Sequence, residues 1–373
     1  MKRLFVTGLI AAMAVSSAAK AELELSGNVT TVTAYQHDDK DAAGLAAGGA
    51  TQGDLGIAAA ANADHFRFVV DQVELDLENE FGENIRARAD IDFRDVANTM
   101  LRGADAYDLE QGYVTANLAV GNGMEFLIGK FNTPLGIESA DRNANVFSTY
   151  TPGWIFLNPV SVMGAKLYYE FNDHWNMDFA LVNNLNGTFV NSAYPTGIYR
   201  VGVVWGDEGN ESYVNLGAAV GPEHNAASGG SNNMHLDYYG VLWGNWSFND
   251  NWDLGWETNY RQTNSLAGSP NVKAFGGQLF TVWQASDVWS LQLRGAGLYD
   301  VNRDRSATTG ASTTGANWGS FEGLTYSGTL GATYQITDGA SVKLEGRWDY
   351  ANTSGATANA DFMTGVAEFA YSF

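Results

Sequence analysis

The chain of 373 residues contains no cysteine. That absence removes a disulfide framework, thiol catalysis and cysteine-ligated metals, so backbone pairing and burial must hold the fold together. Proline is almost as scarce, at 6 residues, which leaves long stretches free of the residue that cannot donate to a sheet ladder. Lys and Arg together number 20 against 42 Asp and Glu, a formal charge of −22. Such a balance argues against a nucleic-acid partner, which needs a net or local excess of basic groups. No stretch approaches the ~20 apolar residues of a spanning helix, and mean hydropathy is −0.18.

What the chain does have begins at its front. Lys2 and Arg3 precede an apolar run from Leu4 to Val15, and Ala19-Lys20-Ala21 offers a small-x-small cleavage site. Residues 1–21 therefore read as a cleavable export signal, with the mature protein starting at Glu22 and carrying a charge of −25 once Lys2, Arg3 and Lys20 are lost. At the other end Gly365, Ala367, Phe369, Tyr371 and Phe373 fall on one face of an alternating strand, and Thr364, Val366, Glu368, Ala370 and Ser372 on the other. A strand apolar on one side only, in an exported protein, fits a membrane β-barrel, whose two faces average to neutral hydropathy.

Segments with a period of two recur along the chain. They predict strands at 23–35, 66–81, 85–95, 107–120, 124–131, 162–171, 175–184, 198–206, 212–220, 236–248, 252–262, 273–284, 288–299, 324–336, 340–350 and 361–373. Turn formers such as Gly82-Glu83-Asn84, Gly121-Asn122-Gly123, Asn172-Asp173-His174 and Thr337-Asp338-Gly339 join some of them tightly, while polar connections near 36–64, 132–161, 222–235, 263–272 and 300–323 are long. Aromatics beside the tight turns, including Phe81, Phe171, Trp175, Phe248, Trp252 and Trp289, sit where a membrane-interface girdle belongs. The predicted fold is all-β: a transmembrane antiparallel up-and-down barrel of about 16 strands over 22–373, with short periplasmic turns and long extracellular loops. A soluble sandwich or propeller is the alternative, since it could bury the same apolar faces.

The block Gly129-Lys130-Phe131-Asn132-Thr133-Pro134-Leu135-Gly136-Ile137-Glu138, the segment up to Met163-Gly164, and Trp246-Ser247-Phe248-Asn249-Asp250-Asn251-Trp252 resemble the OmpL-like β-barrel porins of Gram-negative outer membranes. The resemblance implies a bacterial outer-membrane pore for small hydrophilic solutes or ions. It also implies that Phe369, Tyr371 and Phe373 form the terminal signal read by the barrel assembly machinery.

A water-filled lumen tolerates charge that a dry core would not. Hairpin pairing about residues 82–84 sets Glu80 opposite Arg86 and Glu78 opposite Arg88, with Asp76 facing Asp90 farther up. The expected pore-lining and selectivity residues are Glu74, Asp76, Glu78, Arg86, Arg88, Asp90, Asp92, Arg94, Lys166, Arg200, Arg261, Arg294 and Arg347, with Glu257, Lys343, Glu345 and Glu368 as further inward candidates. In general porins the third outer loop narrows the channel, and the connection at 132–161 is third in order. It is expected to be the constriction, with Glu138 and Asp141 opposing Arg86, Arg88 and Arg94, and Arg142 beside them; an external lid is the competing reading.

Two other classes compete with a pore. A structural or adhesive barrel with a plugged lumen would work through its loops, and an outer-membrane lipid hydrolase would need a Ser, His and Asp constellation. His37, His65, His174, His224 and His235 all lie in or beside connections, without a nucleophile elbow or ligand spacing. No catalytic residue, cofactor or metal is assigned. Expected partners are outer-membrane lipid and lipopolysaccharide, the assembly machinery and small solutes, with a homotrimer as one assembly open to the chain.

Overall fold

A computed structural model describes residues 23–38, 64–93, 107–185, 194–207, 209–224, 234–265, 272–301, 324–351 and 360–373. Sixteen strands form the wall: β1 (Leu23–Asp38), β2 (His65–Phe81), β3 (Ile85–Phe93), β4 (Tyr107–Leu118), β5 (Met124–Asn132), β6 (Ser161–Glu170), β7 (Trp175–Val182), β8 (Thr196–Trp205), β9 (Ser212–His224), β10 (Met234–Asn249), β11 (Trp252–Ser265), β12 (Val272–Ser286), β13 (Trp289–Asp300), β14 (Leu324–Thr337), β15 (Ala340–Ala351) and β16 (Ala360–Ser372). Each pairs antiparallel with its sequence neighbours, and β1 pairs with β16, so the sheet is a closed barrel. Closure removes every edge, and a strand can cross hydrocarbon only when all of its backbone groups are paired in this way. Among the described residues no helix is long and apolar enough to cross a membrane. The expected export signal 1–21 lies outside the described residues.

The alternation seen in the sequence is the reason for this architecture. Outward on β16, Met363, Phe369 and Tyr371 are exposed, while Thr364, Val366, Glu368 and Ala370 are buried. The seam closes where Gly27 and Phe373 exchange backbone hydrogen bonds of 3.2 and 3.0 Å. A Cβ at Gly27 would lie 2.2 Å from the Glu74 carbonyl oxygen, so the close approach requires glycine. Around the tight-turn end runs the aromatic girdle: Trp252 pairs with Trp283, Trp289 with Tyr334, and Trp205 and Trp246 meet edge to face at 6.3 Å. Several strands extend well past the sequence estimate at the long-loop end, β9 to His224 and β1 to Asp38. Those residues keep pairing beyond the roughly 9 to 11 that hydrocarbon requires, where side-chain alternation fades.

Two β-bulges interrupt the ladders on one side. Thr30 pairs with Gln72 but Thr31 with Val70, leaving Asp71 as the extra residue. Asp90 pairs with Gln111 but Ile91 with Leu109, leaving Glu110. Both extra carboxylates are buried, which strict alternation would not have allowed.

Candidate functional site

The connection between β5 and β6 starts at a neck where Thr133 N donates to the Val160 carbonyl at 2.9 Å and Thr133 Oγ1 donates to Pro159 O at 2.5 Å. From there it folds inside the barrel. A 3-10 turn, Arg142–Ala144, and a short helix, α1 (Pro152–Leu157), are its regular parts. Pro152 occupies the first turn of α1, and Thr151 Oγ1 accepts from Trp154 N at 3.2 Å, so a proline and a capping hydroxyl start the helix. Gly153 and Gly276 let α1 lie against the wall: a Cβ at Gly276 would meet the Gly153 Cα at 3.0 Å and Asn259 Oδ1 at 2.2 Å.

Half of the connection is held by packing. Leu135, Phe156 and Leu157 join inward side chains of β5 to β13, among them Val162, Val182, Ile198, Val241 and Trp243, in one buried apolar cluster. Each such aliphatic or aromatic side chain contributes about 1.5–3 kcal/mol on burial. Tyr150 stacks on Trp154 with ring centroids 3.8 Å apart.

The other half is held by wall charges, chiefly on β11, β13 and β15. Arg294 donates to Glu138 Oε1 at 3.1 Å and to the Thr149 carbonyl at 2.7 Å, with its guanidinium 4.2 Å from the Phe147 ring centre. Arg347 donates to the Tyr150 carbonyl at 2.6 Å and is bracketed by Asp349. Lys343 reaches the Asn145 carbonyl at 2.7 Å and Glu368 at 3.1 Å, while Arg261 joins Asp237 to the Leu157 carbonyl. Glu345 accepts from the Ser148 and Thr149 backbone at 2.9 and 3.3 Å, and Glu257 from Ile137 N at 2.7 Å. Arg142 pairs with Asp71 and donates to the Ser148 carbonyl at 2.6 Å. Burial pushes the Glu138 carboxyl above its ordinary pKa, against the opposing pull of Arg294 and Thr151.

Glu138, expected to oppose Arg86, Arg88 and Arg94, is bonded to Arg294 on β13, because the connection leaves β5 and crosses the lumen to the far wall. Arg94 lies outside the described residues. Asp141 sits in the bend before the 3-10 turn, its backbone N–H accepted by Ser139 Oγ at 3.2 Å.

The remaining predicted positions gather on two stretches of wall. On β2 and β3 the expected register is the observed one, with Glu80 opposite Arg86, Glu78 opposite Arg88 and Asp76 opposite Asp90. Arg86 lies 3.4 Å from both Glu78 and Glu125, and Arg88 binds Asp90 at 2.7 Å. Farther up, Glu74 and Asp92 are both buried and both accept from Gln72 Nε2, at 3.0 and 2.9 Å. On β6 to β8, Lys166 and Arg200 share Asp178. With Glu125, Tyr168, Trp243 and the loop from Thr133 to Ser139 they border a recess of about 560 Å³. A second recess, of about 410 Å³, lies between Glu138, Phe147, Asp253 and Arg294. Side-chain exposure separates the basic groups: 39% at Arg86 and 30% at Arg88, but 1% at Arg294 and 0% at Arg347.

Sequence reasoning missed Asp71, Glu110, Asp178 and Asp237 as partners in this lumen. It also missed its apolar part, although Phe179-Ala180-Leu181-Val182 is apolar on both faces, a mark of a strand packed inside as well as out.

Solved structures share the architecture. The outer-membrane channel DcaP of Acinetobacter baumannii superposes with a TM-score of 0.68 at 14% identity, over 96% of this chain and 99% of that one. The anion-selective porin from Comamonas acidovorans gives 0.65 at 14% identity, over 95% and 100%. The trimer form of OmpT, an outer membrane protein of Vibrio cholerae, gives 0.58 at 11% identity, over 95% and 100%. No curated protein sequence matches the chain. The family model described as "Putative beta-barrel porin-2, OmpL-like" matches residues 22–373. A closed sixteen-strand barrel, a charged lumen and that match together identify the chain as a member of the OmpL-like porin-2 family, a passive diffusion channel of the bacterial outer membrane.

Proposed function

We propose that residues 133–160 form the constriction of this porin and that small hydrophilic solutes or ions pass beside it, along the wall of β2 to β8. The observation that carries the reading is the clamp of Arg294, Arg347 and Lys343 on the carbonyls of Thr149, Tyr150 and Asn145. A loop anchored by buried cations cannot swing out as a lid without taking Glu138 from Arg294 and the loop carbonyls from Arg347 and Lys343. The solute would then meet the groups left partly exposed, Arg86, Arg88, Lys166 and Arg200 set against Glu78 and Glu125, a transverse field of mixed sign. Buried Arg261, Arg294 and Arg347 act on the solute through the loop they position. Deleting residues 138–150 and recording single channels in a planar bilayer is the test. Raised conductance is expected; an unchanged step size would remove the loop from this role.

The apolar cluster around Leu157 favours a second reading, a barrel filled for structural use. That version gives no conductance steps in the same recording. The porin reading carries no catalytic step; lipid hydrolysis lost on a single His substitution would overturn that. We further propose removal of residues 1–21 on export, delivery through the assembly machinery by Phe369, Tyr371 and Phe373, and seating in lipid and lipopolysaccharide. A homotrimer, the state named for OmpT, is expected on crosslinking.

A further inference from the structure

The recess of about 410 Å³ against Glu138 and Phe147 is bordered by β9 to β13, not by the mixed-charge wall of β2 to β8. Tyr213, Asn245, Asp253 and Val282 border it, and each lies within a few residues of a tight turn, which places the recess on the periplasmic side of the inward loop. Its volume falls in the range of small-molecule sites, roughly 300–1,000 Å³.

The lining is of two kinds. Phe147 and Phe280 bring aromatic carbon to it, meeting edge to face with ring centroids 5.9 Å apart. Phe280 is set in place over Gly255, where a Cβ would run into the tip of the ring. The polar part is equally fixed. Asn245 Nδ2 and Ser247 Oγ both donate to Asp253 Oδ1, at 3.0 and 2.5 Å, which orients the carboxylate and leaves its Oδ2 without a hydrogen bond among the described residues. Gln278 is 7% exposed, yet its Nε2 has no partner among the described residues, and the buried Arg294 Nε has none either. A buried donor left unpaired costs about 1–3 kcal/mol, and an oxygen of a molecule seated in the recess satisfies it.

We propose that this recess is a subsite for a neutral hydroxylated ring, a monosaccharide unit in transit. The proposal rests on the pore reading and deepens it by naming a solute class. A hydroxyl both donates and accepts, so one sugar accepts from Gln278 Nε2 and donates to Asp253 Oδ2. A carboxylate solute can do only the first and an ammonium only the second. The C–H face of the ring lies against Phe147 and Phe280, apolar surface that an inorganic ion cannot use. Charge points the same way: Arg294 is already bonded to Glu138, and Asp253 repels an anion.

The test is saturation-transfer difference NMR of D-glucose, D-glucuronate and D-glucosamine with the folded, full-length protein in detergent, which reads weak binding through the solute's own protons. Saturable transfer to glucose is expected, strongest at the ring C–H protons, with weaker binding of both charged analogues. Gln278→Met keeps the bulk, removes the donor and should weaken glucose binding about threefold to tenfold. Phe280→Leu should weaken it too, while Asp253→Asn should bring glucuronate closer to glucose. Asp338→Asn, on an exposed turn, should change nothing. Should the Gln278 variant fail to fold, the order of the three solutes on the wild type and the shift at Asp253→Asn decide alone. Absence of saturable transfer to glucose, glucuronate bound as tightly as glucose by the wild type, equal binding by wild type and folded Gln278→Met, or a loss at Asp338→Asn as large as at Gln278→Met would overturn the subsite. Conductance steps without transfer to glucose remove the subsite and leave the pore; transfer without steps does the reverse.

Discussion

Two walls of one barrel treat charge in opposite ways. On β11, β13 and β15, Arg261, Arg294, Lys343 and Arg347 are buried, and each cation has an acidic partner together with a loop carbonyl. On β2 to β4 carboxylates face carboxylates, as at Asp76 and Asp90 or Glu74 and Asp92, with neutral amides among them, and the cations Arg86 and Arg88 bond to wall acids while staying partly exposed. The first wall spends its charge on holding a segment of its own chain. The second pairs charge within the wall and keeps Arg86 and Arg88 partly exposed to the lumen. A guanidinium with five donors can satisfy a loop's carbonyls from one position; a carboxylate, which only accepts, needs donors or cations brought to it.

Breaking the first wall should have the largest effect. Asp237→Ala takes from buried Arg261 the carboxylate it pairs with and should cost about 3–5 kcal/mol, seen as a lower urea midpoint in detergent; a loss below about 1 kcal/mol would mean that this wall is as wet as the other. Arg294→Ala removes the bonds to Glu138 and Thr149 and the contact with Phe147. It should cost about 1.5–3 kcal/mol and raise single-channel conductance as the loop loosens. On the second wall the sign reverses. Asp76→Asn relieves the repulsion from Asp90 and should stabilise by up to about 1 kcal/mol, while moving the reversal potential in a salt gradient toward anions. Destabilisation there would show that Asp76 is needed by Arg88 more than it is opposed by Asp90.

The contrast also explains what the sequence discloses. Period-two alternation places Glu74 to Glu80 and Arg86 to Asp92 on the inner face, and a tight turn at 82–84 fixes their pairing, so this part of the lumen is legible down to individual cross-strand partners. Asp71 and Glu110 escape the same reasoning because a bulge shifts the phase of alternation by one residue, and nothing in a local window marks it. The inward connection is legible as a long third one, but its partners are not. Which wall Glu138 meets depends on the direction in which the loop crosses a cylinder, a property of the closed barrel rather than of any segment. The inward apolar surface of β7 and β8 was visible as two-sided hydrophobicity, yet its meaning emerges only once α1 covers it.

The anchors of the inward loop are remote along the chain. Ile137 is bonded to Glu257, 120 residues downstream, and Asn145 to Lys343, 198 downstream. Contacts of such span cannot form until the later strands have joined the sheet. The seam between Gly27 and Phe373 spans more of the chain than either anchor, so by the cost of closing long loops it is the last contact to form, around an inner segment already tied down.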